Sequence, residues 1–288
     1  MAVVVMINGR VHAPEEAKVS VFDRGFLYGD SVFETVRTYR GRPFALDQHL
    51  ARLARSAELV FIELPVPLVT LEAEVLQALA AAGNGESYVR VMITRGESAL
   101  GLDTRLADHP SRVIIVADLN LPPARYYQDG IATVTYRTER ATDATAAEGA
   151  KVGNYLVSVL AMRQASLAGA AEALIVDARG AVVEGATSNV FMLEGGTLVT
   201  PGAGILQGIT RAEVLKAAAD LGLPVRFRAP SLDELLAADE AFITSSLREM
   251  LPVVKVDGTA IGTGRPGAQT LALHARFKQR IDAWLARA

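Results

Sequence analysis

The 288-residue sequence predicts an α+β fold made of two subdomains. Strand-like and helix-like stretches alternate without strict βαβ order, which argues against a doubly wound parallel sheet. The segment "NLPPARYYQDG" (120–130) sets two adjacent prolines where neither a helix interior nor a central strand tolerates them. With 50% hydrophobic residues the chain can bury a core on each side of that segment. The expected division is a small N-terminal subdomain over 1–119, a linker over 120–130 and a larger subdomain over 131–288.

The elements follow in order. Residues 2–7 read as a strand turned at Asn8–Gly9. "SVFETVRTYRGRPFAL" gives two strands around the turn Arg40–Gly41–Arg42. "DQHLARLARSAELV" has helical spacing, with Leu50, Leu53, Ala57 and Val60 on one face and Asp47 as N-cap. Residues 67–82 form a second helix, stopped by Gly83 and Gly85. "SYVRVMITRG" and "SRVIIVADL" are strands. Past the linker come the strand "IATVTYRT" and the helical stretch "NYLVSVLAMRQASLAGA". "AEALIVDARGAVVEGATSNVFMLEGGTLVTP" then reads as three short strands, with Glu184 just after one of them. "GITRAEVLKAAADLGL" is a helix, followed by the strand "PVRFRA" and the acidic helix "SLDELLAA". "EAFITSS" and "PVVKVDG" are strands, and the C-terminus is an amphipathic helix.

Composition narrows the function. A net charge of −3 offers no reason to bind nucleic acid or an anionic membrane. With no cysteine, thiol nucleophiles, disulfides and cysteine metal sites are excluded. The N-terminus lacks a basic n-region, and no apolar run approaches the roughly 20 residues that span a bilayer, so a cytoplasmic protein is expected. His12, His49, His109 and His274 are scattered without metal-ligand spacing. No G-x-S-x-G elbow or Walker A loop is present, and "GAGILQG" (202–208) has the wrong spacing for a dinucleotide loop.

Three pieces carry chemistry. Lysine is scarce, at 18, 151, 216, 255 and 278, and Lys151 stands between two glycines ahead of an apolar stretch. Only a primary amine condenses with a carbonyl. "GAGILQGITRAEVL" places a glycine-rich loop before a helix, where the N–H groups of Ile209 and Thr210 and the Thr210 hydroxyl would make an anion site. Glu184, flanked by the small Gly185 and Ala186, can accept a hydrogen bond from a protonated ring nitrogen. An amine, a carboxylate and a phosphate cup are what pyridoxal phosphate requires.

The sequence resembles the class IV aminotransferases, the fold-type-IV pyridoxal-phosphate family. "DRGFLYGDSVFETVR", "HLARL", "KVGNYL", "EGATSNVF", "GILQGITR" and "ADEAFITSSLREMLPV" occur in the family's order across nearly the whole chain. The resemblance implies that Lys151 bonds the cofactor aldehyde and that Glu184 pairs with the pyridine nitrogen. Arg52, Ile209, Thr210 and Ser246 would hold the phosphate. Tyr155, Ser188 and Asn189 complete the cofactor set. The N–H groups of Ser246 and Leu247 would lie near the substrate carboxylate. It further implies a homodimer or higher homo-oligomer with sites at the interface, where residues 88–102 reach the partner's site.

Within the family the motifs divide. Tyr88 and Arg90, then Leu100 and Leu102, resemble the branched-chain enzymes, as do Tyr28 and Phe33. D-amino-acid enzymes carry an Arg-x-His carboxylate trap at the positions of Leu100 and Leu102. The short spacing between Lys151 and Tyr155 resembles D-amino-acid aminotransferases and aminodeoxychorismate lyases, and "TSSLREMLPV" resembles the lyases. The expected activity is amino-group exchange between a branched-chain or similar aliphatic L-amino acid and a 2-oxo acid such as 2-oxoglutarate. Aminodeoxychorismate lyase is the alternative, with D-amino-acid or (R)-amine transamination behind it. A cofactor-binding protein without turnover would most simply lack Lys151, which is present.

Overall fold

The structure is a computed structural model that describes residues 3–138 and 149–287. The chain folds into two compact units. One holds the chain up to Asn120 together with the described residues around Lys151 as far as Tyr155; the other holds the rest of the described chain from Leu121 onward.

The first unit is built on a six-stranded antiparallel sheet. Its strands are β1 (Val4–Ile7), β2 (Arg10–His12), β3 (Ser31–Tyr39), β4 (Arg42–Pro43), β5 (Ser87–Thr94) and β6 (Ser111–Asp118), in the order β2-β1-β6-β5-β3-β4. Asn8 and Gly9, with φ of 49° and 81°, make the tight turn of the first hairpin. A short helix, α1 (Arg24–Tyr28), runs from the Asp23 side chain, which caps the Gly25 N–H, to Gly29 at φ 69°. Helices α2 (Leu46–Leu59) and α3 (Leu68–Ala82) cover one face. There Leu50, Leu53 and Ala57, with Leu71, Val75 and Ala78, meet Val32, Val36, Val89, Val91 and Ile114 in one apolar core.

The second unit holds a nine-stranded mixed sheet. It contains β7 (Ile131–Arg137), β8 (Glu172–Val176), β9 (Val182–Gly185), β10 (Asn189–Glu194), β11 (Thr197–Thr200), β12 (Val225–Phe227), β13 (Glu240–Ser245), β14 (Glu249–Val256) and β15 (Thr259–Ala260). The order is β12-β11-β10-β13-β14-β7-β8-β9, with β15 on β14. The pairs β11–β12, β14–β7 and β7–β8 are parallel. Helices α4 (Arg125–Gln128), α5 (Leu156–Leu167), α6 (Ile209–Asp220), α7 (Leu232–Leu236) and α8 (Ala268–Ala286) complete it. Helix α8 buries Thr270, Leu273, Phe277 and Ile281, the single stripe an amphipathic helix presents. Parallel and antiparallel pairings mix and two sheets form, so the α+β class holds.

Several details differ from the sequence reading. Helix α2 begins at Leu46, so Asp47 is not its N-cap: that position is Ala45, at φ 50° and without a side-chain bond, and Asp47 sits in the first turn. There a carboxylate still favours the helix through the dipole. The stretch 171–201 contains four strands, not three, because Gly185 and Ser188 pair across a tight turn (Gly185 N–H to Ser188 O, 2.7 Å) that separates β9 from β10. Glu184 consequently lies within β9 rather than after it. The 120–130 segment contains α4 rather than a plain linker. Strand β1 starts at Val4, and Ala2 lies outside the described residues.

Candidate active site

In the first unit Lys151 sits in an extended stretch fixed by its own backbone. The Phe33 N–H donates to the Lys151 carbonyl at 3.0 Å and the Gly153 N–H to the Ser31 carbonyl at 2.7 Å. The Lys151 N–H donates to Ser56 Oγ at 3.1 Å. The approach to β3 needs glycine at 153, since a Cβ there would lie 2.0 Å from Ser31 Oγ. These bonds group the lysine segment with the first unit although it follows the 120–130 segment in sequence.

The amine is placed with equal definition. Lys151 Nζ donates to Tyr155 Oη at 3.0 Å and lies 4.4 Å from the centre of the Phe33 ring. The Phe33 and Tyr155 rings meet edge to face at 5.1 Å, and the Arg90 guanidinium stands 3.8 Å from the Phe33 ring centre. Alternation along the strands explains the grouping. Phe33 pairs with Met92, two residues from Arg90, and Arg37 with Tyr88, so Phe33, Arg37, Tyr88 and Arg90 share the sheet face opposite α2 and α3. Tyr28, at the end of α1, accepts the Gly101 N–H on its Oη at 3.2 Å. Leu100 and Leu102 are 70% and 77% exposed.

Arg52 lies on the other side of β3. It donates through Nε and Nη2 to the two oxygens of Glu34 at 2.6 and 2.7 Å, and His49 Nδ1 lies 2.6 Å from the same carboxylate. Glu34 is fully buried between Val32 and Val36, which face the core. Burial pushes its carboxyl upward, but hydrogen bonds and charge from Arg52 and His49 outweigh this and hold it down at about 2. Burial lowers His49 despite the neighbouring carboxylate, which favours neutral imidazole. His49, Arg52 and Ser56 thus form a buried polar stripe along α2 at spacings of three and four. The apolar periodicity passes over it, although the same i, i+3, i+7 spacing among polar residues was its visible signal.

The second unit brings the other candidates together. Glu184 accepts the Leu206 N–H at 3.4 Å, while the Leu206 carbonyl accepts from Asn189 Nδ2 at 2.7 Å, so one residue of the loop before α6 ties both side chains to it. Gly208 is the N-cap of α6 and no side chain caps this end. A Cβ on Gly208 would lie 2.1 Å from Asn189 Oδ1, so the close approach requires glycine. Ile209 and Thr210 are buried at the first turn. Ser188 Oγ and Thr187 Oγ1 donate to Glu172, a fully buried carboxylate that also takes Arg248 Nη2. Through Arg248 the turn bearing Ser246 and Leu247 joins the turn after Glu184. Glu172, Thr187 and Arg248 escaped the sequence reading because their pairing spans 15 and 76 positions.

The donor sets suit pyridoxal 5'-phosphate. The amine has a defined hydrogen-bond partner, the carboxylate is anchored at the loop leading into a helix, and that helix terminus is left to backbone N–H groups by a glycine with room for nothing larger. Among the described residues no cluster of His, Asp or Glu could hold a metal ion, and no helix is long and apolar enough to cross a membrane.

Known proteins agree with this chemistry. The sequence profile described as amino-transferase class IV matches residues 31–256. The chain belongs to the class IV aminotransferases, enzymes that depend on pyridoxal 5'-phosphate. Branched-chain aminotransferases are among the proteins it resembles. A Methanocaldococcus jannaschii protein provisionally named a branched-chain-amino-acid aminotransferase is 38% identical over 282 residues, covering 97% of each chain. The branched-chain amino acid aminotransferase of Escherichia coli superposes with a TM-score of 0.88 at 30% identity, covering 97% of this chain and 93% of that one. Relatives with other names are also similar. A D-alanine aminotransferase of Bacillus licheniformis is 32% identical over 96% of each chain. The aminodeoxychorismate lyase of Bacillus subtilis is 33% identical over 96% of this chain and 94% of its own.

Proposed function

We propose that this aminotransferase takes its amino group from an aliphatic L-amino acid of the branched-chain kind and passes it to a 2-oxo acid such as 2-oxoglutarate, as a homodimer in the cytoplasm. The observation that carries the donor assignment is the loop that displays Leu100 and Leu102 with no cation at either position. An aliphatic side chain gains roughly 1.5–3 kcal/mol from burial against such residues. A carboxylate there would stay unpaired.

Pyridoxal 5'-phosphate supplies a carbonyl for the amino group and an electron-withdrawing ring. The chain does the rest. The Lys151 amine would be the covalent anchor for that carbonyl, and its Nζ would accept and return the proton at the substrate α-carbon. Tyr155 Oη, already bonded to that nitrogen, orients it. Glu184 would keep a proton on the ring nitrogen, with the Leu206 N–H steadying the carboxylate. The N–H groups of Ile209 and Thr210, the Thr210 hydroxyl, Ser246 and Arg52 would hold the phosphate, and Asn189 and Ser188 fix the turns near α6 and β10. Phe33, Tyr28, Tyr88 and Arg90 line the substrate side, and the N–H groups of Ser246 and Leu247 meet its carboxylate.

The test is kcat/KM for L-leucine, D-alanine and aminodeoxychorismate on one preparation, with pyruvate release followed for the last. L-Leucine should lead. A tenfold advantage for either competitor, about 1.4 kcal/mol, overturns the donor assignment while leaving the cofactor chemistry intact.

A further inference from the structure

The segment that carries Leu100 and Leu102 has no helix or strand before a 3₁₀ turn at Thr104–Leu106; at its start an isolated bridge, Asp23 to Glu97, and the Ser98 N–H on the Phe22 carbonyl at 3.3 Å tie it down. A loop of that kind would spread its two leucines over many positions unless something else held it. Arg24, 2% exposed at the start of α1, reaches across the sequence to it. Its Nη1 donates to the Gly101 carbonyl at 2.8 Å, with longer contacts of 3.5 Å to the Asp103 carbonyl and Ser98 Oγ, and Nη2 lies 3.4 Å from the Leu102 carbonyl. Three consecutive carbonyls, those of Gly101, Leu102 and Asp103, therefore gather around one guanidinium.

The other end of that guanidinium is fixed as well. Arg24 Nε donates to Asp30 Oδ2 at 2.8 Å, and Asp30 is held in turn by Arg95 at 2.7 and 3.0 Å. Arg95 donates onward to the carbonyls of Val60 and Phe61, at the end of α2. Burial raises the Asp30 carboxyl, but the bonds from Arg95 and Arg24 prevail and hold it below the usual range, so it stays charged at neutral pH. On the loop side Tyr28 Oη takes the Gly101 N–H, so Gly101 is gripped at both its N–H and its carbonyl.

We propose that Arg24 is the positioning residue for substrate selection: it clamps the 98–103 loop by its main chain and so sets where Leu100 and Leu102 stand. This rests on the aliphatic-donor reading above. Its chemistry requires a fork. A lysine ammonium is a single point of charge and cannot satisfy Asp30 and the loop carbonyls together.

The experiment compares Arg24→Lys and Arg24→Met with the wild-type holoenzyme. For L-leucine, KM should rise about tenfold with kcat within about threefold, and the preference for L-leucine over L-alanine should fall about tenfold, because L-alanine has little side chain to bury. Amide hydrogen exchange over 98–103 should quicken while β5 is unchanged, and cofactor absorbance should match wild type. Arg24→Lys should behave like Arg24→Met, since charge alone does not rescue the fork. An unchanged leucine-to-alanine preference, a uniform loss across donors, or unchanged exchange over the loop overturns the proposal. If neither variant yields loaded enzyme, Asp30→Asn releases the far end of the same arginine, and a preference unmoved there overturns it equally. Should wild-type enzyme prefer D-alanine or aminodeoxychorismate, the donor assignment fails, while the exchange measurement still decides whether Arg24 holds the loop.

Discussion

Replacing Glu34 with Gln tests the buried polar stripe most directly. The carboxylate is fully buried and takes a bidentate bond from Arg52 and a contact from His49. Glutamine keeps the volume but removes the negative charge that faces a buried guanidinium, a change typically worth about 3–5 kcal/mol. The acid constant gives an independent figure. From an ordinary 4.5 down to about 2, at about 1.36 kcal/mol per pH unit, the folded state owes roughly 3 kcal/mol to the ionised carboxylate. The sign is that of a depressed carboxyl: the stabilisation is complete above pH 4.5 and is lost as pH falls toward 2. Urea unfolding followed by circular dichroism should place Glu34→Gln about 3 kcal/mol below wild type at pH 7, or about 6–12 °C lower in Tm. The gap should narrow steadily below pH 4.5, because the variant has no such carboxylate to protonate. A variant within about 0.5 kcal/mol of wild type at pH 7, or a gap that persists unchanged into acid, would refute the reasoning.

Lys151→Ala should abolish transamination, and borohydride treatment of the wild type should fix the cofactor on the peptide containing Lys151; a label on any other lysine rejects that anchor. Glu184→Gln should retain cofactor but slow the half-reaction with amino acid by about 10²–10⁴-fold in stopped-flow absorbance; near-wild-type rates would remove Glu184 from the ring nitrogen. Gly208→Ala drives a Cβ to within 2.1 Å of Asn189 Oδ1, so the Asn189 bond to Leu206 must break. Cofactor affinity should weaken about tenfold and stability fall by about 1–3 kcal/mol, read by fluorescence titration and thermal melting.

What could be read from the sequence was whatever local chemistry decides. Asn8–Gly9 dictates its hairpin, Gly83 ends α3 at φ 61°, and "SYVRVMITRG" forms the strand β5 that its sequence predicts. Lys151 and Glu184 stood out as candidates because few residue types offer their chemistry, and the helix following Gly208 lies where its sequence placed it. The supporting partners were not. Glu34 looks like one more polar residue of an amphipathic strand, and only the packing of α2 shows that its side chain points inward. The division of "AEALIVDARGAVVEGATSNVF" into separate strands depends on a turn whose Thr187 and Ser188 hydroxyls bond Glu172. The placement of the lysine segment beside β3 is decided by backbone bonds to Ser31 and Phe33, whose local mark is Gly153, and a glycine alone does not say which strand approaches it.

The grip of Arg24 on carbonyl oxygens has an evolutionary consequence. Every residue type carries the same carbonyl, so the grip on the carbonyls of Gly101, Leu102 and Asp103 does not depend on which side chains stand at 100 and 102. Substitutions at 100 and 102 can therefore accumulate without loosening the anchor or disturbing the buried stripe of α2. A lineage built this way can exchange one donor preference for another in a few steps, each intermediate still folded and still loaded. For directed evolution, libraries confined to 100 and 102 should trade one donor for another, whereas libraries that include position 24 should stay active but lose discrimination between donors.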